Sequence, residues 1–386
     1  MHLLVKDVVS LLEDRYPPAG AEPWDTVGLV AGNPEQEVRS VLFAIDPVSD
    51  VVAEAVEAGV DLLVTHHPLF LHGVTSVAAT TPKGRVVHDL VRAGIALYVA
   101  HTSADSAAGG VNDALAGALG LTGTRPLVPA DREPLDVITT FVPEPDADAV
   151  VDALAAAGAG AVGNYERCVW SVAGTGEFTA GLEARPTIGS VGTPERLEER
   201  RVEMVLRRSR RAAVVAALRA AHPYEEPAFS VVEMAALAAD TGTGRVGTLA
   251  EAMTLEVFAR RVATVLPATA QGIRVAGDLT ATVRTVAVCG GSGDAYLEDA
   301  RRAGADVYVT ADLRHHRASE ARSEDGAPFL IDAAHWASEW VWLPVAARVL
   351  EGDAARAGAV LWTRVSSLVT DPWTVRLGGP DQGGTP

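Results

Sequence analysis

Short apolar runs alternate with amphipathic helical segments at both ends of the chain, and this alternation excludes most folds. In the first third, it predicts strands at 38–46, 61–65 and 95–100, and helices at 50–59, 83–94 and 110–120. In the last third, it predicts strands at 283–291, 305–310 and 328–332, and helices at 294–304, 312–325 and 335–352. This order is typical of βαβ units, whose parallel strands are covered by helices on both faces. The sequence therefore predicts an α/β fold in which both ends of the chain form one continuous layered domain.

The middle of the chain has a different pattern. Strands are predicted at 136–143, 168–174, 200–207 and 228–234, helices at 146–158 and 210–221, and a loop at 175–194. Strand, helix, two strands, helix, strand is the order of a ferredoxin-like α+β unit. We therefore predict an inserted domain at 129–240, between the two halves of the α/β domain at 1–128 and 241–376, and a disordered tail at 377–386.

Charge and cysteine content restrict the kinds of partner. The 386 residues include 50 acidic and 32 basic side chains, for a formal net charge of −18. Such a surface repels phosphate backbones and anionic lipids, so we expect neither nucleic-acid nor membrane binding. Cys168 and Cys289 are far apart in apolar surroundings and predict two buried, reduced thiols. The N-terminal pattern is that of an amphipathic helix without a signal peptide's apolar region, so we expect a cytoplasmic protein.

Two histidines follow the predicted strand at 61–65. His66 and His67 stand before Pro68, which disfavours a helical backbone at His67. Because the two histidines follow the end of the strand, we expect both at the carboxyl edge of the sheet. In an α/β sheet this edge is where ligands bind. Asp105 and His101 follow the next strand at the same edge. His66 and His67 alone could be surface loop residues, and His101 could either contact a metal or substrate or orient a ligand.

A third segment adds a histidine and a carboxylate. His335 and Glu339 are four residues apart at the start of a predicted helix, so their side chains lie on one helical face. Such pairs are also common on solvated helix surfaces. Together, however, the three segments supply five candidate ligands for two divalent metal ions: His66, His67, Asp105, His335 and Glu339. Five ligands leave both coordination shells open, as in a catalytic site, and histidines with carboxylates favour zinc, iron, manganese or cobalt.

Two other segments have more than one interpretation. CGGSGD at 289–294 joins a strand to a helix, and could be a phosphate-binding turn or a purely structural tight turn. HPYEEPAF at 222–229 is compatible with a rigid hinge into the last strand of the insert. DLRHH at 312–316 places Asp312 and His316 four residues apart, and this pair could add a group that supports a ligand or contacts a substrate.

Several of these segments occur in the same order in one protein family. They include WDTVGLVAG (24–32), VTHHPLF (64–70), HTSAD (101–105), GGVNDALA (109–116), GRVGTL (244–249), VAVCGGSGD (286–294), ADVYVTAD (305–312) and IDAAHWASE (331–339). The chain resembles the Nif-three-like dinuclear metal-centre hexameric proteins, also labelled GTP cyclohydrolase type 2 homologues. GAVGNYERC (160–168), GTGEFTA (174–180) and AHPYEEPAF (221–229) match their long bacterial members. The resemblance covers residues from about 2 to about 375.

The resemblance implies a site and an assembly. It implies an α/β core with two metals, a ring-shaped homohexamer, and an inserted domain similar to ferredoxin-like signalling and copper-tolerance proteins. His66, Asp105 and Glu339 would hold one metal, and His67, His335 and the shared Glu339 the other. This chain has Thr26 where the family usually has Asn, and Ala311 and Ala334 where it usually has Gly. None of these departures removes a ligand.

Two functions follow as hypotheses. The first is metal-dependent hydrolysis of a nucleotide-like or other small substrate, with GTP ring opening as the named candidate and His101 and Glu339 as catalytic residues. The second is a non-enzymatic metal-handling or regulatory hexamer whose inserted domain senses a ligand.

Overall fold

The computed structural model describes residues 2–130, 133–235 and 239–377. The chain forms two compact units, one made of Met1–Ala130 with Ala239–Pro386 and the other of Asp131–Ala238. The expected disordered tail lies outside the described residues except for Leu377.

Strands and helices alternate over much of the chain. The strands are β1 (Leu3–Leu4), β2 (Gly28–Ala31), β3 (Glu37–Val38), β4 (Ser40–Ala44), β5 (Leu62–Thr65), β6 (Ala96–Val99), β7 (Leu121–Pro129), β8 (Leu135–Pro143), β9 (Trp170–Thr179), β10 (Pro194–Arg207), β11 (Phe229–Glu233), β12 (Gly242–Thr254), β13 (Arg274–Ala276), β14 (Thr282–Ser292), β15 (Val307–Ala311), β16 (Phe329–Ala333) and β17 (Trp362–Val365). The helices are α1 (Val5–Arg15), α2 (Ser49–Ala58), α3 (Pro82–Ala93), α4 (Thr102–Ser106), α5 (Val111–Ala118), α6 (Ala147–Ala156), α7 (Arg211–Ala221), α8 (Leu255–Val265), α9 (Leu297–Arg302), α10 (His315–Arg322), α11 (His335–Trp340) and α12 (Leu343–Arg356).

The first sheet of the discontinuous unit has the order β17-β4-β5-β6-β2. Strands β17, β4, β5 and β6 are parallel, and β2 is antiparallel to β6. Every residue of β5 and β6 is buried, as expected for strands covered on both faces. Helices α2 and α3 end where their glycines predict, since Gly59 and Gly94 adopt left-handed backbone angles there.

The second sheet has the order β13-β16-β15-β14-β12-β7. Strands β14, β15 and β16 are parallel, whereas β13, β12 and β7 pair in antiparallel fashion at the two sides. The α/β class is thus confirmed, and the layered domain expected from the sequence contains two sheets.

Arg245 on β12 is a buried cation inside this unit, with only 2% of its surface exposed. Its guanidinium forms two hydrogen bonds to the carboxylate of Asp113 on α5, at 2.7 and 2.9 Å. It also donates to the carbonyl oxygens of Gly242 and Gly244, both at 2.7 Å, and of Ala107 at 2.9 Å. Every side of the guanidinium is therefore paired, and it joins β12 to the segment that carries α4 and α5.

The unit at 131–238 is ferredoxin-like by its topology. Its four strands have the order β11-β8-β10-β9 and pair only in antiparallel fashion, with α6 after β8 and α7 after β10. Helices α6 and α7 cover one face through an apolar core that includes Val150, Leu154, Val214 and Leu218. The predicted loop at 175–194 is partly wrong, because β9 extends to Thr179 and β10 begins at Pro194.

The predicted helix at 335–352 is two helices, α11 and α12. Pro344 lies in the first turn of α12, where its missing backbone N–H costs no hydrogen bond. The same missing N–H and the proline ring prevent α11 from continuing through this position. The break leaves α11 as a short helix that begins directly at His335. No helix among the described residues is long and apolar enough to cross a membrane.

Candidate metal centre

His66 and His67 extend β5 beyond its last residue. Their backbone N–H groups donate to the carbonyl oxygens of Ala44 and Ile45, at 3.1 and 2.8 Å, continuing the pairing with β4. The chain bends at these two residues, and their rings lie in one region at the carboxyl edge of the first sheet, with ring centroids 5.0 Å apart. His66 is fully buried, and its ring packs edge-on against Trp342.

The other three predicted ligands come from short helices at strand ends. Asp105 lies on α4, which follows β6 in the first sheet, where the sequence predicted a loop. His335 and Glu339 lie on α11, which follows β16 in the second sheet. The site therefore forms where the carboxyl ends of parallel strands from both sheets meet.

The structure brings all five predicted ligands together around Glu339. Its carboxylate oxygens lie 3.0 Å from His335 Nε2, 3.1 Å from His67 Nε2 and 3.4 Å from His66 Nε2. Asp105 Oδ1 lies 3.7 Å from His66 Nε2. Among the residues that the structure describes, two groups have ligand atoms close enough to hold a metal ion: His67, His335 and Glu339, and His66, His67 and His101.

Each histidine is fixed through its second ring nitrogen. His66 Nδ1 is 3.0 Å from the carbonyl oxygen of Ala100. His67 Nδ1 and His335 Nδ1 are each 2.7 Å from a carboxylate oxygen, of Asp46 and Asp312 respectively. Since these partners are acceptors, Nδ1 carries the proton and the lone pair of a neutral ring is on Nε2, facing the centre. This arrangement is typical of metal-binding histidines.

Three buried polar atoms at the centre have no hydrogen-bond partner within the described residues: His66 Nε2, Asp105 Oδ1 and Glu339 Oε2. Unsatisfied buried polar atoms are costly, and a cluster of them demands an explanation. All three are ligand atoms that a cation would satisfy. The residues present therefore fit a dinuclear metal centre.

Gly291 gives Glu339 and His335 their space. A Cβ added at Gly291 would lie 2.3 Å from Glu339 Oε1 and 3.1 Å from His335 Nε2, and the residue has a φ of +66°. The phosphate-turn interpretation of 289–294 has little support, because Gly290 and Gly291 donate their backbone N–H groups to Asn112 and Ser338. The glycine turn instead forms a wall of the metal centre.

Glu339 dominates the electrostatics of the centre. Burial opposes protonation of His67 but is outweighed by the charge of Glu339 and the bond with Asp46, which raise its pKa to about 10. The charge of Glu339 raises the pKa of His335 to about 11 despite its burial. Burial favours a neutral Glu339, yet the three histidines hold its pKa well below the usual range. Burial raises the pKa of Asp105 to about 6, against the opposing effect of His66.

These shifts predict that metal affinity increases with pH. Protons and cations compete for the same Nε2 lone pairs, and the raised pKa values of His67 and His335 favour the protonated rings near neutral pH. Zinc titrations followed by calorimetry in buffers of different ionisation enthalpy should therefore show net proton release. A measured proton uptake, or an affinity that falls from slightly acidic to slightly alkaline pH, would contradict this prediction.

Asp312 is expected to strengthen metal binding through His335. Replacing it with asparagine keeps its volume but weakens the acceptor that fixes the His335 ring. We expect Asp312→Asn to lower metal affinity about 10- to 100-fold while the fold is kept. Competition with a metal chelator measures this change. Asp299→Asn on α9, outside the centre, is the matched control and should bind metal as the unaltered chain does.

The sequence did not identify two of these supporting carboxylates. Asp46 follows β4, so it could have been found in the same way as His66, as a polar residue directly after a predicted parallel strand. Asp25 lies in an irregular segment with no strand or helix signal. Its Oδ1 accepts from His101 Nδ1 at 2.9 Å, and its other oxygen accepts from the backbone of Thr102 at 3.0 Å. The sequence left two roles open for His101, contact with a metal or substrate and orientation of a ligand. The structure is compatible with contact to a metal or substrate, because the His101 ring lies among the candidate ligand atoms.

A cavity of about 280 Å³ opens beside the centre. Asp105, His101, His335 and Glu339 line it together with aromatic side chains. Among these, Trp24 is 57% exposed and packs edge-on to His101, at 5.9 Å between ring centroids. The candidate ligands are therefore accessible to a small molecule from one side.

The fold and the site define an α/β protein with two His/Glu clusters consistent with a dinuclear metal centre. The family model for Duf34/NIF3 (NGG1p interacting factor 3) matches residues 3–372. The chain belongs to this family.

Named relatives and solved structures agree with this assignment. The "GTP cyclohydrolase 1 type 2 homolog" of Mycobacterium tuberculosis is 49% identical over 377 residues, which is 97% of this chain and 98% of the relative. The protein of the same name from Bacillus subtilis is 40% identical, over 82% of this chain and 84% of the relative. The Bacillus cereus protein related to NIF3 has a similar solved structure, with a TM-score of 0.71 and 36% identity, covering 97% of this chain and 99% of that one.

Proposed function

We propose that the protein is a metal-dependent hydrolase of a small, nucleotide-like substrate. The observation that carries this proposal is the convergence of unsatisfied buried ligand atoms at the wall of an open cavity. A structural metal site is closed by protein ligands, whereas a catalytic site leaves positions for water and substrate. Two divalent cations bound here, with zinc, iron, manganese and cobalt as candidates, would polarise a substrate oxygen and activate water.

The residues divide into two roles. Glu339, placed between three histidines, would position both metals, with His66 and Asp105 on one side and His67 and His335 on the other. His101 is suited to move a proton. Burial lowers the pKa of His101 to about 4, although the hydrogen bond and charge of Asp25 act in the opposite direction. The His101 ring is therefore neutral near pH 7. Because Asp25 accepts from Nδ1, the lone pair of His101 is on Nε2 and is available to take a proton from water.

Trp24 and the shape of the cavity support a small aromatic substrate. The indole of Trp24 is exposed at the cavity wall, where a flat ring can pack against it. The GTP cyclohydrolase name of the relatives makes GTP ring opening the first reaction to test, followed by hydrolysis of phosphoesters.

The test supplies the purified, metal-loaded protein with GTP and a panel of nucleotide phosphoesters. GTP ring opening is followed by the loss of purine absorbance, and phosphoester cleavage by phosphate release. We expect turnover to be lost in Glu339→Ala and to fall about a hundredfold or more in His101→Asn, which retains the five ligands. Turnover that persists unchanged in Glu339→Ala would overturn the proposal.

A second candidate is a non-enzymatic metal-handling or regulatory protein. The observation in its favour is that both clusters found among the described residues lie outside 131–238, so hydrolysis leaves this unit without a role. The distinguishing result is reversible transfer of metal to an acceptor chelator or protein without turnover on any substrate. Metal that cannot be exchanged would count against this candidate.

We further propose that the protein works as a cytoplasmic homohexamer, as the family resemblance implies. Light scattering coupled to gel filtration tests the assembly. A mass equal to six chains of 40.2 kDa supports it, and a monomeric mass would reject it.

A further inference from the structure

The unit at 131–238 contains a cavity of about 370 Å³ that the proposed hydrolysis does not use. It is formed entirely within this unit, between the ends of β9 and β10 and the segment that precedes β11. Two sequence segments that the metal centre leaves unexplained meet at its wall. HPYEEPAF contributes Tyr224, Glu225 and Glu226, and GTGEFTA contributes Glu177 and Phe178.

Aromatic rings and a fixed carboxylate shape the inside of this cavity. Phe178 and Tyr224 pack edge to face, with ring centroids 5.7 Å apart. The hydroxyl of Tyr224 donates to Glu199 Oε1 at 2.6 Å, which orients the carboxylate against the ring. His222 in turn accepts from the backbone N–H of Tyr224 at 3.1 Å, so the tyrosine is held from two sides.

Gly176 is required for the position of Glu199. A Cβ at residue 176 would lie 2.1 Å from Glu199 Oε2 and 2.3 Å from its carboxyl carbon. The carboxylate therefore lies directly against bare backbone on the neighbouring strand β9. A side chain at this position would push the carboxylate away from Tyr224.

The cavity is negatively charged without a matching cation. Four glutamates line it, and among its described lining residues none is Lys, Arg or His. Glu177 pairs with Arg196 at 3.3 Å. In the part of the chain that the structure describes, Glu199, Glu225 and Glu226 form no ion pair with a basic side chain. Glu225 Oε2 accepts a hydrogen bond from the backbone N–H of Arg185 at 2.9 Å, and Glu199 Oε1 accepts from Tyr224, so both carboxylates are held by neutral donors and keep a charge that an incoming cation can offset.

The same geometry argues against a bound metal ion. A metal site needs several ligand atoms close together, and the two groups with that spacing among the described residues are both at the metal centre. Aromatic and apolar walls, from Phe141, Phe178 and Ile188, instead suit a cation with a carbon body. Aromatic faces attract ammonium groups, and quaternary ammonium ligands are bound in this way in aromatic cages.

We propose that this cavity binds a small organic ammonium compound, with the charged nitrogen between Glu199 and the rings of Tyr224 and Phe178. The apolar part of the ligand would then contact the wall formed by Phe141 and Ile188. This gives the inserted unit a ligand-binding function that is separate from the metal centre and independent of the proposed hydrolysis.

The test titrates the full-length, metal-loaded protein with choline by calorimetry, and repeats the titration with cadaverine as a primary diamine. The uncharged control is 3,3-dimethylbutan-1-ol, called dimethylbutanol below, in which carbon replaces the charged nitrogen of choline and the shape is kept. We expect saturable binding of at least one of the two amines, with one site per chain, and binding of dimethylbutanol weaker by about tenfold or more.

Variants locate the site. Glu199→Gln and Gly176→Ala should each weaken amine binding by about tenfold or more, the first by removing the charge and the second by displacing it. Glu198→Gln is the matched control, because adjacent residues of β10 point to opposite faces of the sheet, and Glu198 does not line the cavity. All three variants should retain the far-UV circular dichroism spectrum and the thermal unfolding transitions of the unaltered protein, which shows that the unit at 131–238 is folded.

The outcomes separate clearly. Binding that is lost with Glu199→Gln but kept with Glu198→Gln supports the proposal. Saturable binding of choline and dimethylbutanol with equal affinity, unchanged amine binding in Glu199→Gln, or no saturation by either amine would overturn it. None of these results depends on turnover at the metal centre, so failure of the proposed hydrolysis would leave this test unaffected.

Discussion

Replacing Glu339 with glutamine is expected to remove both metals from the protein. Glu339 is 3% exposed, and its carboxylate lies within 3.4 Å of His66, His67 and His335. Glutamine keeps its volume and hydrogen-bonding length but loses the charge that offsets two cations, and an amide is a much weaker ligand than a carboxylate. Elemental analysis after dialysis should fall from two metal ions per chain to none.

The control for this variant is Glu57→Gln, on the exposed side of α2, which should retain two metals per chain. The metal-free Glu339→Gln chain should remain folded, as measured by circular dichroism. Without the Glu339 charge, the three neighbouring histidines should become neutral, so these rings leave no unpaired charge buried at the centre. A variant that still carries two metals after dialysis would show that Glu339 is not the shared ligand.

Removing the buried cation Arg245 is expected to have the largest effect on stability. Arg245→Met leaves Asp113 as a partly buried charge and removes the guanidinium donors from the carbonyl oxygens of Ala107, Gly242 and Gly244. Breaking one side of a buried ion pair costs about 3–5 kcal/mol. The free energy of unfolding, measured in urea, should fall by this amount, and metal affinity should fall with it because Arg245 anchors the segment next to α4.

Two further variants test the cause of that loss. Arg260→Met removes an exposed arginine that pairs with Glu256 on α8, and it should change the free energy of unfolding by less than about 1 kcal/mol. Arg245→Met combined with Asp113→Leu should be more stable than Arg245→Met alone, because no unpaired charge remains. If the double variant is less stable than the single one, the unpaired carboxylate is not the source of the destabilisation.

The sequence located the five candidate ligands because parallel strands place their carboxyl ends at one edge. That rule needs only the strand positions, which the apolar runs at 61–65, 95–100 and 328–332 mark clearly. The structure places His66, His67 and Asp105 at the first sheet and His335 and Glu339 at the second. Whether all five bind metal stays a prediction until metal content is measured.

Other features depend on contacts that periodicity does not record. Nothing in the local pattern shows that β2 and β17 form the two edges of the first sheet, because an edge strand is defined by its neighbours in space. Asp25 supports His101 across 76 residues of sequence, and its own segment has neither strand nor helix. The cavity at 131–238 was also missed, since its two walls are about fifty residues apart and each alone is typical of a turn or a strand end.

The discontinuous unit has a consequence for the order of events during synthesis. Its first part ends at Ala130 and its second part begins at Ala239, with the whole inserted unit between them. His66 and Asp105 leave the ribosome long before His335 and Glu339, while the unit at 131–238 has all its strands before Glu339 is made. A nascent chain can thus fold its inserted unit early, but the complete ligand set exists only after more than four fifths of the chain has been translated. Binding of metal by the complete ligand set would therefore be a late step in the maturation of this protein.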